Sequence, residues 1–522
     1  MELKNVNKIE KVTSGNQAAI FRIGVGLLFL VGVMQFTGFL SAGSDNTMLM
    51  IAAVIGGYMA MNIGANDVAN NVGPAVGSQA LTLTGAIIIA AVFEASGALL
   101  AGGEVVGTIK KGIIDPAMIT NADTFIWLMM AALLAGGVWL NIATALGAPV
   151  STTHSIVGGV LGAGIAAGGL GIANWDKMAA IAASWVISPV LGGLIAAGFL
   201  YLIKHSITYK EDMLTAAKKM VPILIAVMAT AFATYLALKG LKKIWKIDFI
   251  TASGIGLVVG FIVYLGVKPM VSKAAHQLVN EKASINQLFT IPLIFSAALL
   301  SFAHGANDVA NAVGPLAAIS DVVVNGNISA KAPIPLWVMM VGAIGIALGL
   351  ALYGPKLIRT VGSEITELDK MRAFCIAMAA AITVIIASQL GLPVSSTHIA
   401  VGGIFGIGFI REYLKRSYDH MVDEIKLHHE ADSPEVIESF LLKFKAASVP
   451  KKQILLKQLK DKASQAHFTK KERKQLKRVY KYELVKRSHL IKIAAAWVIT
   501  VPASGLLAAF IFFAIRGMMI PM

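Results

Sequence analysis

The sequence predicts an all-α polytopic membrane protein with about 12 to 13 transmembrane helices, built as two repeats of inverted topology that contain broken helices. Three observations support this fold class. Hydrophobic residues make up 56% of the 522 residues and only 14% are charged, which excludes an ordinary soluble enzyme. Apolar stretches of helical length recur along the whole chain. Three motifs each occur twice, in the same order.

The apolar stretches set the number of helices, because a bilayer core takes roughly 20 helical residues. The first stretch, 18–41, is too long for a signal-peptide core and has no convincing small-residue cleavage site, so it is expected to remain as a helix. The other stretches lie at 48–65, 81–102, 124–147, 150–170, 177–203, 219–238, 248–268, 287–304, 334–354, 371–391, 394–410 and 489–516.

An eleven-residue motif at 64–74 returns at 305–315 with a single difference. Each copy places a carboxylate and carboxamides in an apolar stretch, where a charged side chain costs about 2.5 to 3.5 kcal/mol. Each copy also contains an early glycine and a Gly-Pro pair. These residues predict that the two helices break at membrane depth, which is tolerated only where protein or a water-filled cavity surrounds the break.

Two further motifs repeat in the same order. The sequence Pro-Val-Ser-Thr-Thr-His at 149–154 returns as Pro-Val-Ser-Ser-Thr-His at 393–398, and the Trp-Val-Ile at 185–187 returns at 497–499. The distance between copies grows from 244 to 312 residues, so the second repeat contains an insertion. Residues 411–490 hold 20 Lys/Arg against 11 Asp/Glu, and basic loops stay in the cytoplasm.

The repeats divide the chain into six segments. Seven crossings between equivalent points would turn the second repeat upside down, which is the architecture of secondary transporters. The segments are an extra N-terminal transmembrane helix at 1–47, the first transport repeat at 48–203, a two-helix linker at 204–286, the second transport repeat at 287–410, a basic cytoplasmic insertion at 411–488 and a last transmembrane helix at 489–522 that completes the second repeat.

The acidic motifs predict cation binding. Asp67 and Asn70, like Asp308 and Asn311, are three residues apart and share a helix face. Carboxylate and amide oxygens are hard ligands that suit a small hard cation. No Lys or Arg lies within either motif, so a buried carboxylate there must be protonated or meet a mobile cation.

The hydroxyl motifs predict anion binding. A proline followed by Ser and Thr residues and a small-residue stretch is typical of a capped helix start, where N–H groups and the positive end of the helix dipole attract an anion. Two such starts and two acidic motifs suggest a tetrahedral oxyanion accompanied by cations. The candidate hydroxyl residues are Ser151, Thr152, Thr153, Ser395, Ser396 and Thr397.

Together these paired motifs resemble the inorganic phosphate transporter (PiT) family, over about residues 48–410 and 489–516. The resemblance implies cation-coupled symport of inorganic phosphate by alternating access, driven by sodium or protons. It places Asn66 and Asn307 with the hydroxyls around phosphate. Glu94 matches a membrane glutamate of the family and is a candidate proton site or helix contact. His154 and His398 could relay protons, orient a hydroxyl or make structural hydrogen bonds.

Several alternatives stay open. Sodium is favoured as the coupling ion, but proton-coupled symport of phosphate or metal-phosphate, and sulfate transport, share these motifs. A passive anion channel is the alternative of another class, and a membrane hydrolase lacks any recognisable catalytic motif. The expected partners are phosphate, the cation and bilayer lipid, with no nucleic acid and no further cofactor; a homo-oligomer is left open. The expected location is a cell membrane, namely the bacterial inner membrane.

Overall fold

The computed structural model describes residues 2–40, 47–119, 121–148, 150–240, 247–326, 334–363, 368–428 and 487–519. The described residues form seventeen α-helices. These are α1 Glu2–Leu40, α2 Thr47–Asn66, α3 Val68–Gly77, α4 Leu83–Ala101, α5 Gly103–Lys111, α6 Ala122–Leu146, α7 Thr152–Gly168, α8 Trp175–Ile203, α9 Met213–Gly240, α10 Phe249–Ala275, α11 Lys282–Leu288, α12 Thr290–Asp308, α13 Ala310–Asn325, α14 Leu336–Ser363, α15 Lys370–Gln389, α16 Ser396–His428 and α17 Arg487–Met519.

Eleven segments of the described chain are long and apolar enough to cross a membrane, which confirms the all-α polytopic class. Helices α2 and α3 form one such segment, as do α12 and α13. The predicted stretches 150–170 and 394–410 correspond to α7 and to the first half of α16 and are not among the eleven. Helix α7 has only 17 residues and α16 continues into a charged stretch, so the count falls below the 12 to 13 predicted from apolar stretches.

The two repeats are intertwined through equivalent glycine contacts. Helix α7 of the first repeat lies along α17, and α16 of the second repeat lies along α8. A Cβ atom added to Gly162 would overlap the backbone of Gly505, and one added to Gly406 would overlap the backbone of Gly193. The two contacts involve the same positions of the repeated motifs, so they are related by an approximate two-fold axis.

The helices of the acidic motifs also cross between repeats. Helix α2 lies against α14, where Gly64 meets the backbone of Ile346, and α12 lies against α4, where Gly305 meets the backbone of Glu94. Since Gly64 and Gly305 are equivalent in the repeated motif, Glu94 and Ile346 occupy equivalent positions.

The remaining segments surround this core. Helices α9 and α10 of the predicted linker pair closely, because Gly256 and Gly260 leave room for Thr234 and Thr230. Helix α1, the predicted extra helix, lies on α2 and α14. Residues 429–486, most of the predicted basic insertion, lie outside the described residues.

Candidate functional site

In both acidic motifs the regular helix is interrupted at a single residue. Asp67 is the single residue between α2 and α3, and Asp308 is the last residue of α12, followed by Val309. Asp67 and Val309 keep right-handed helical torsion angles, and the Asp67 N–H still donates to Ile63 O at 2.9 Å. Each helix is therefore interrupted at or next to the acid without being unwound, and the glycines and prolines that predicted the break lie within the flanking helices. Side-chain oxygens, more than unwound backbone, form the site.

Both hydroxyl motifs begin a helix, as predicted. Ser151 precedes α7 and its Oγ accepts a hydrogen bond from His154 N at 3.1 Å. Ser395 precedes α16 and its Oγ accepts one from His398 N at 3.2 Å. These are N-cap hydrogen bonds, which satisfy amide groups that the helix itself leaves unpaired. The first serine of each motif thus caps its helix, and the next residues face the acids.

The acids and hydroxyls of the two repeats meet in one buried cluster. Asp67 accepts hydrogen bonds from Thr152 Oγ1 at 2.6 Å and Thr397 Oγ1 at 3.1 Å, so one carboxylate joins a hydroxyl of each repeat. Asp308 accepts one from Ser396 Oγ at 3.1 Å. All five side chains are buried. The groups predicted for cation and for anion are therefore in direct contact.

The two amides predicted as cation ligands join the repeats. Asn70 Nδ2 donates to Thr397 Oγ1 at 2.8 Å. Asn311 Nδ2 donates to Thr152 Oγ1 at 3.0 Å and to Thr153 Oγ1 at 3.3 Å. Each bond runs from the acidic motif of one repeat to the hydroxyl motif of the other, so the predicted site residues form one interface between the repeats.

Asn66 and Asn307, predicted to contact phosphate, bind protein groups here. Asn66 Nδ2 donates to Thr144 Oγ1 at 3.0 Å, and its Oδ1 accepts from Val150 N at 3.1 Å. Asn307 Nδ2 donates to Ser388 Oγ at 2.9 Å. Both amides hold the chain that leads into a hydroxyl helix, so in this arrangement they position the hydroxyls.

Glu94 lies in a polar chain that the sequence analysis did not predict. Glu94 Oε2 is 2.7 Å from His304 Nδ1, and His304 Nε2 is 2.8 Å from Asp308 Oδ2 in an ion-pair contact that lacks hydrogen-bond alignment. Asn71 Nδ2 donates to Glu94 Oε1 at 2.7 Å. The motifs contain no Lys or Arg, but Asp308 does have a histidine as a neighbour. A histidine one turn before Asp308 was the available signal.

Both repeats contribute to this chain of polar residues, and it has no counterpart at the positions related to it by the two-fold axis. Those positions are apolar, and the eleven-residue motif differs between its copies at one of them. The pairs are Asn71 with Ala312, His304 with Ile63, and Glu94 with Ile346. The surroundings of Asp67 and of Asp308 therefore differ in their titratable groups.

Asp67, His304 and Asp308 offer a cation site. Their ligand atoms lie within 4.8 Å of one another, and all three side chains are buried. Asp308 Oδ1 and Asn70 Oδ1 accept no hydrogen bond from the described residues. Two carboxylates with unpaired carboxylate and amide oxygens are a donor set that fits a small hard cation.

His154 and His398 lie together beside the hydroxyl helices. Their ring centroids are 4.4 Å apart, His154 lies 3.8 Å from the Trp185 ring, and His398 stacks on Trp497 at 3.6 Å. His154 Nδ1 is 3.4 Å from Trp497 O. Trp185 and Trp497 belong to the third repeated motif, so all the repeated motifs meet near the two-fold axis.

Comparison with known proteins gives concordant results. A sequence model described as "Phosphate transporter family" matches residues 63–508. The chain is 53% identical to a "Putative phosphate permease" of Helicobacter pylori over 99% of both chains, and 39% identical to one of Pyrococcus abyssi over 70% of this chain and 89% of the relative. A solved structure, "The sodium-dependent phosphate transporter", has a TM-score of 0.74 and 31% identity, covering 91% of this chain and 100% of that chain.

Proposed function

The chain belongs to the phosphate transporter family, and we propose that it is a sodium-coupled symporter that moves inorganic phosphate across the cell membrane by alternating access. Members of this family are transporters and not enzymes. The eleven candidate spans and the intertwined repeats fit a secondary transporter whose site lies between two halves.

The contact between hydroxyls and carboxylates carries the proposal. A Thr or Ser hydroxyl has one proton to donate, and Thr152, Thr397 and Ser396 donate theirs to Asp67 or Asp308. Phosphate cannot take those protons while the carboxylates hold them, and two bare carboxylates repel an anion. A cation bound at the carboxylates neutralises them and releases the hydroxyls toward phosphate. Cation and phosphate therefore bind together, which is the requirement of a symporter.

Sodium fits the ligands best. Asn70 and Asn311 supply neutral oxygens that bind a metal cation and carry no proton. Together with the carboxylates they give the several hard ligands that a dehydrated cation needs. The solved relative is described as sodium-dependent. A passive anion channel would not need a pair of carboxylates along its pore, because they would repel the anion.

Proton coupling is the second candidate, and the chain from Glu94 through His304 to Asp308 favours it. Titratable groups in contact can pass a proton between them, and an intramembrane acid or histidine is by default functional. In that case, the residues of this chain would carry the coupling proton, and no sodium ion would be needed.

Uptake of labelled phosphate into proteoliposomes tests the coupling ion. An inward sodium gradient at equal pH on both sides should drive accumulation above equilibrium, and replacement of sodium by potassium or choline should abolish it. Uptake that ignores sodium and follows an imposed proton gradient would establish proton coupling. Uptake that only equilibrates would indicate a channel, and competition by sulfate measures the anion selectivity.

A further inference from the structure

A basic cleft lies between α1, α2, α6 and α14, away from the cluster of acids and hydroxyls. Its volume is about 380 Å³. Arg22 of α1 and Lys356 of α14 contribute positive charge, and the Lys356 ammonium donates to Ala145 O at 2.8 Å. Asn62 and Asn141 add amides, joined by a hydrogen bond of 3.3 Å. No carboxylate is among the described residues that line the cleft.

The cleft borders residues that hold the proposed transport site. Thr144 lines the cleft and also accepts the hydrogen bond from Asn66, the residue next to Asp67. Ala65 lines the cleft one residue earlier in α2. The cleft therefore shares Thr144 with the hydrogen-bond network of Asn66, which precedes Asp67 in the chain.

The two-fold-related positions hold a cluster of apolar and aromatic side chains. Phe302 lies there in contact with Phe232 and Tyr235 of α9, at ring-centroid distances of 5.2 and 6.2 Å. By the offsets of the repeats, the cleft residues Met61, Asn141 and Tyr353 correspond to Phe302, Ile385 and Ala101, all members of this apolar cluster.

The difference between the halves is thus in chemistry as well as in shape. On one side of the two-fold axis lies the apolar cluster around Phe302, which we call the aromatic plug. On the other side lies an open cleft lined by an arginine, a lysine and amides. Helix α1 supplies Arg22, and residue 22 lies before the family match begins at residue 63. Packing alone explains the plug but does not explain a cleft of one charge sign.

We propose that this cleft is a second oxyanion site, which binds a phosphate group at the mouth of the transport site. Guanidinium and ammonium groups bind phosphate through charge-assisted hydrogen bonds, and a cleft lined by one sign of charge raises the local concentration of the opposite ion. The group belongs to free phosphate on its path to the site or to the headgroup of an anionic lipid. The first source rests on the proposed phosphate transport.

The test removes the charges with Arg22→Gln and Lys356→Gln together. The half-saturating phosphate concentration, measured from each membrane face in right-side-out and inside-out vesicles, should rise about tenfold from the face of the cleft, because local enrichment of the anion is lost. The maximal rate should not change. The matched control, Lys268→Gln with Arg516→Gln, removes the same charges from exposed positions on α10 and α17 and should leave both values unchanged.

A cysteine introduced at Asn141 identifies the face without using transport. The one native cysteine, Cys375, is fully buried, so background labelling is low. An anionic thiosulfonate should modify Asn141→Cys from one face only and much faster than Ile385→Cys in the aromatic plug. Protection of Asn141→Cys by inorganic phosphate reports binding in the cleft, even if sodium coupling proves wrong.

The lipid composition separates the two sources. A shift of half-saturation in both pure phosphatidylcholine and mixtures with phosphatidylglycerol assigns the cleft to free phosphate. A shift only with phosphatidylglycerol, with a lipid lost from the double variant in native mass spectrometry, assigns it to a headgroup. Unchanged half-saturation in both lipids, with unchanged lipid retention and no protection by phosphate, overturns the proposal.

Discussion

In the proposed mechanism, the hydroxyl groups control whether an anion can bind beside the buried acids. Thr152 receives a hydrogen bond from Asn311 and donates its proton to Asp67, so its oxygen is already satisfied. Its proton is the group that can change partner when the carboxylate is neutralised. Thr397 has the same arrangement with Asn70 and Asp67. Each repeat thus contributes one hydroxyl that donates to Asp67, and we expect both to turn toward phosphate when a cation neutralises this carboxylate.

Replacement of the acids should remove coupling. Asp67→Asn or Asp308→Asn keeps nearly the same volume but loses a carboxylate charge, so accumulation of phosphate above equilibrium should fall to background in proteoliposomes. The control Asp123→Asn changes an exposed acid at the start of α6 and should transport normally. Full accumulation by both Asp67→Asn and Asp308→Asn would contradict cation binding at these acids.

Loss of a hydroxyl that faces the acids should weaken the affinity for phosphate. Thr152→Val or Ser396→Ala removes a donor predicted for phosphate, and a lost hydrogen bond to a charged group costs about 1.5 to 3 kcal/mol, or roughly ten- to a hundredfold in affinity. Thr397→Ser keeps the hydroxyl and serves as the control. Phosphate binding is measured by calorimetry on the purified protein in sodium. Unchanged affinity in both of the first two variants would remove the hydroxyls from the anion site.

The caps should behave differently from the donors. Ser151→Ala removes an N-cap acceptor for α7 and should lower the free energy of unfolding by about 0.5 to 2 kcal/mol, seen as a lower melting temperature. Ser151→Asn retains a capping acceptor and should restore most of the loss. A melting temperature that does not change in Ser151→Ala would show that the cap contributes nothing to stability.

At the scale of helices, the repeated motifs predict local structure well. The capped starts of α7 and α16 follow directly from hydroxyl residues before small-residue stretches. The interruptions at Asp67 and beside Asp308 were less predictable, because glycine and proline lower helix propensity in general but tertiary packing decides where a helix is interrupted. Glycines at these crossings instead allow close contact, as Gly64 does against Ile346.

Close glycine contacts make the crossing of α7 and α17 sensitive to one methyl group. Gly162→Ala would place its Cβ within the backbone of Gly505, and such overpacking costs about 1 to 3 kcal/mol. Gly198→Ala on α8 has no atom within 4 Å of the new Cβ and should be neutral or slightly stabilising. Thermal unfolding of the two variants measures this difference; equal melting temperatures would mean that the helices separate without cost.

At the scale of the whole molecule, the two-fold relation was predictable and the asymmetry was not. Three repeated motifs in one order indicate two related halves. The contact of His304 with Glu94 joins residues 210 positions apart, and α4 carries no repeated motif that would align it with α14. Only the packing of α4 on α12 and of α14 on α2 shows that Glu94 and Ile346 are equivalent. A single sequence contains no signal for that pairing.

The asymmetric cluster of Asn71, Glu94 and His304 can be replaced by the apolar residues found at the two-fold-related positions. The two-fold-related positions that correspond to the cluster on the Asp67 side are Ile63, Ala312 and Ile346. The triple variant Asn71→Ala, Glu94→Ile and His304→Ile therefore gives Asp308 the same apolar set as Asp67. Removing one partner of a buried charged pair costs about 3 to 5 kcal/mol, whereas replacing both partners, here Glu94 and His304, with apolar residues is often neutral. In the triple variant Asp308 loses its contact with His304 but keeps the hydroxyl donor Ser396, and Asp67 is already buried with hydroxyl donors only. Glu94→Ile alone should therefore melt at a lower temperature than the triple variant. If the triple variant melts at or below the temperature of Glu94→Ile, the three residues do not act as one unit. If it is stable and still accumulates phosphate with sodium, coupling depends on the acids that both halves share, and the proton route through His304 is dispensable.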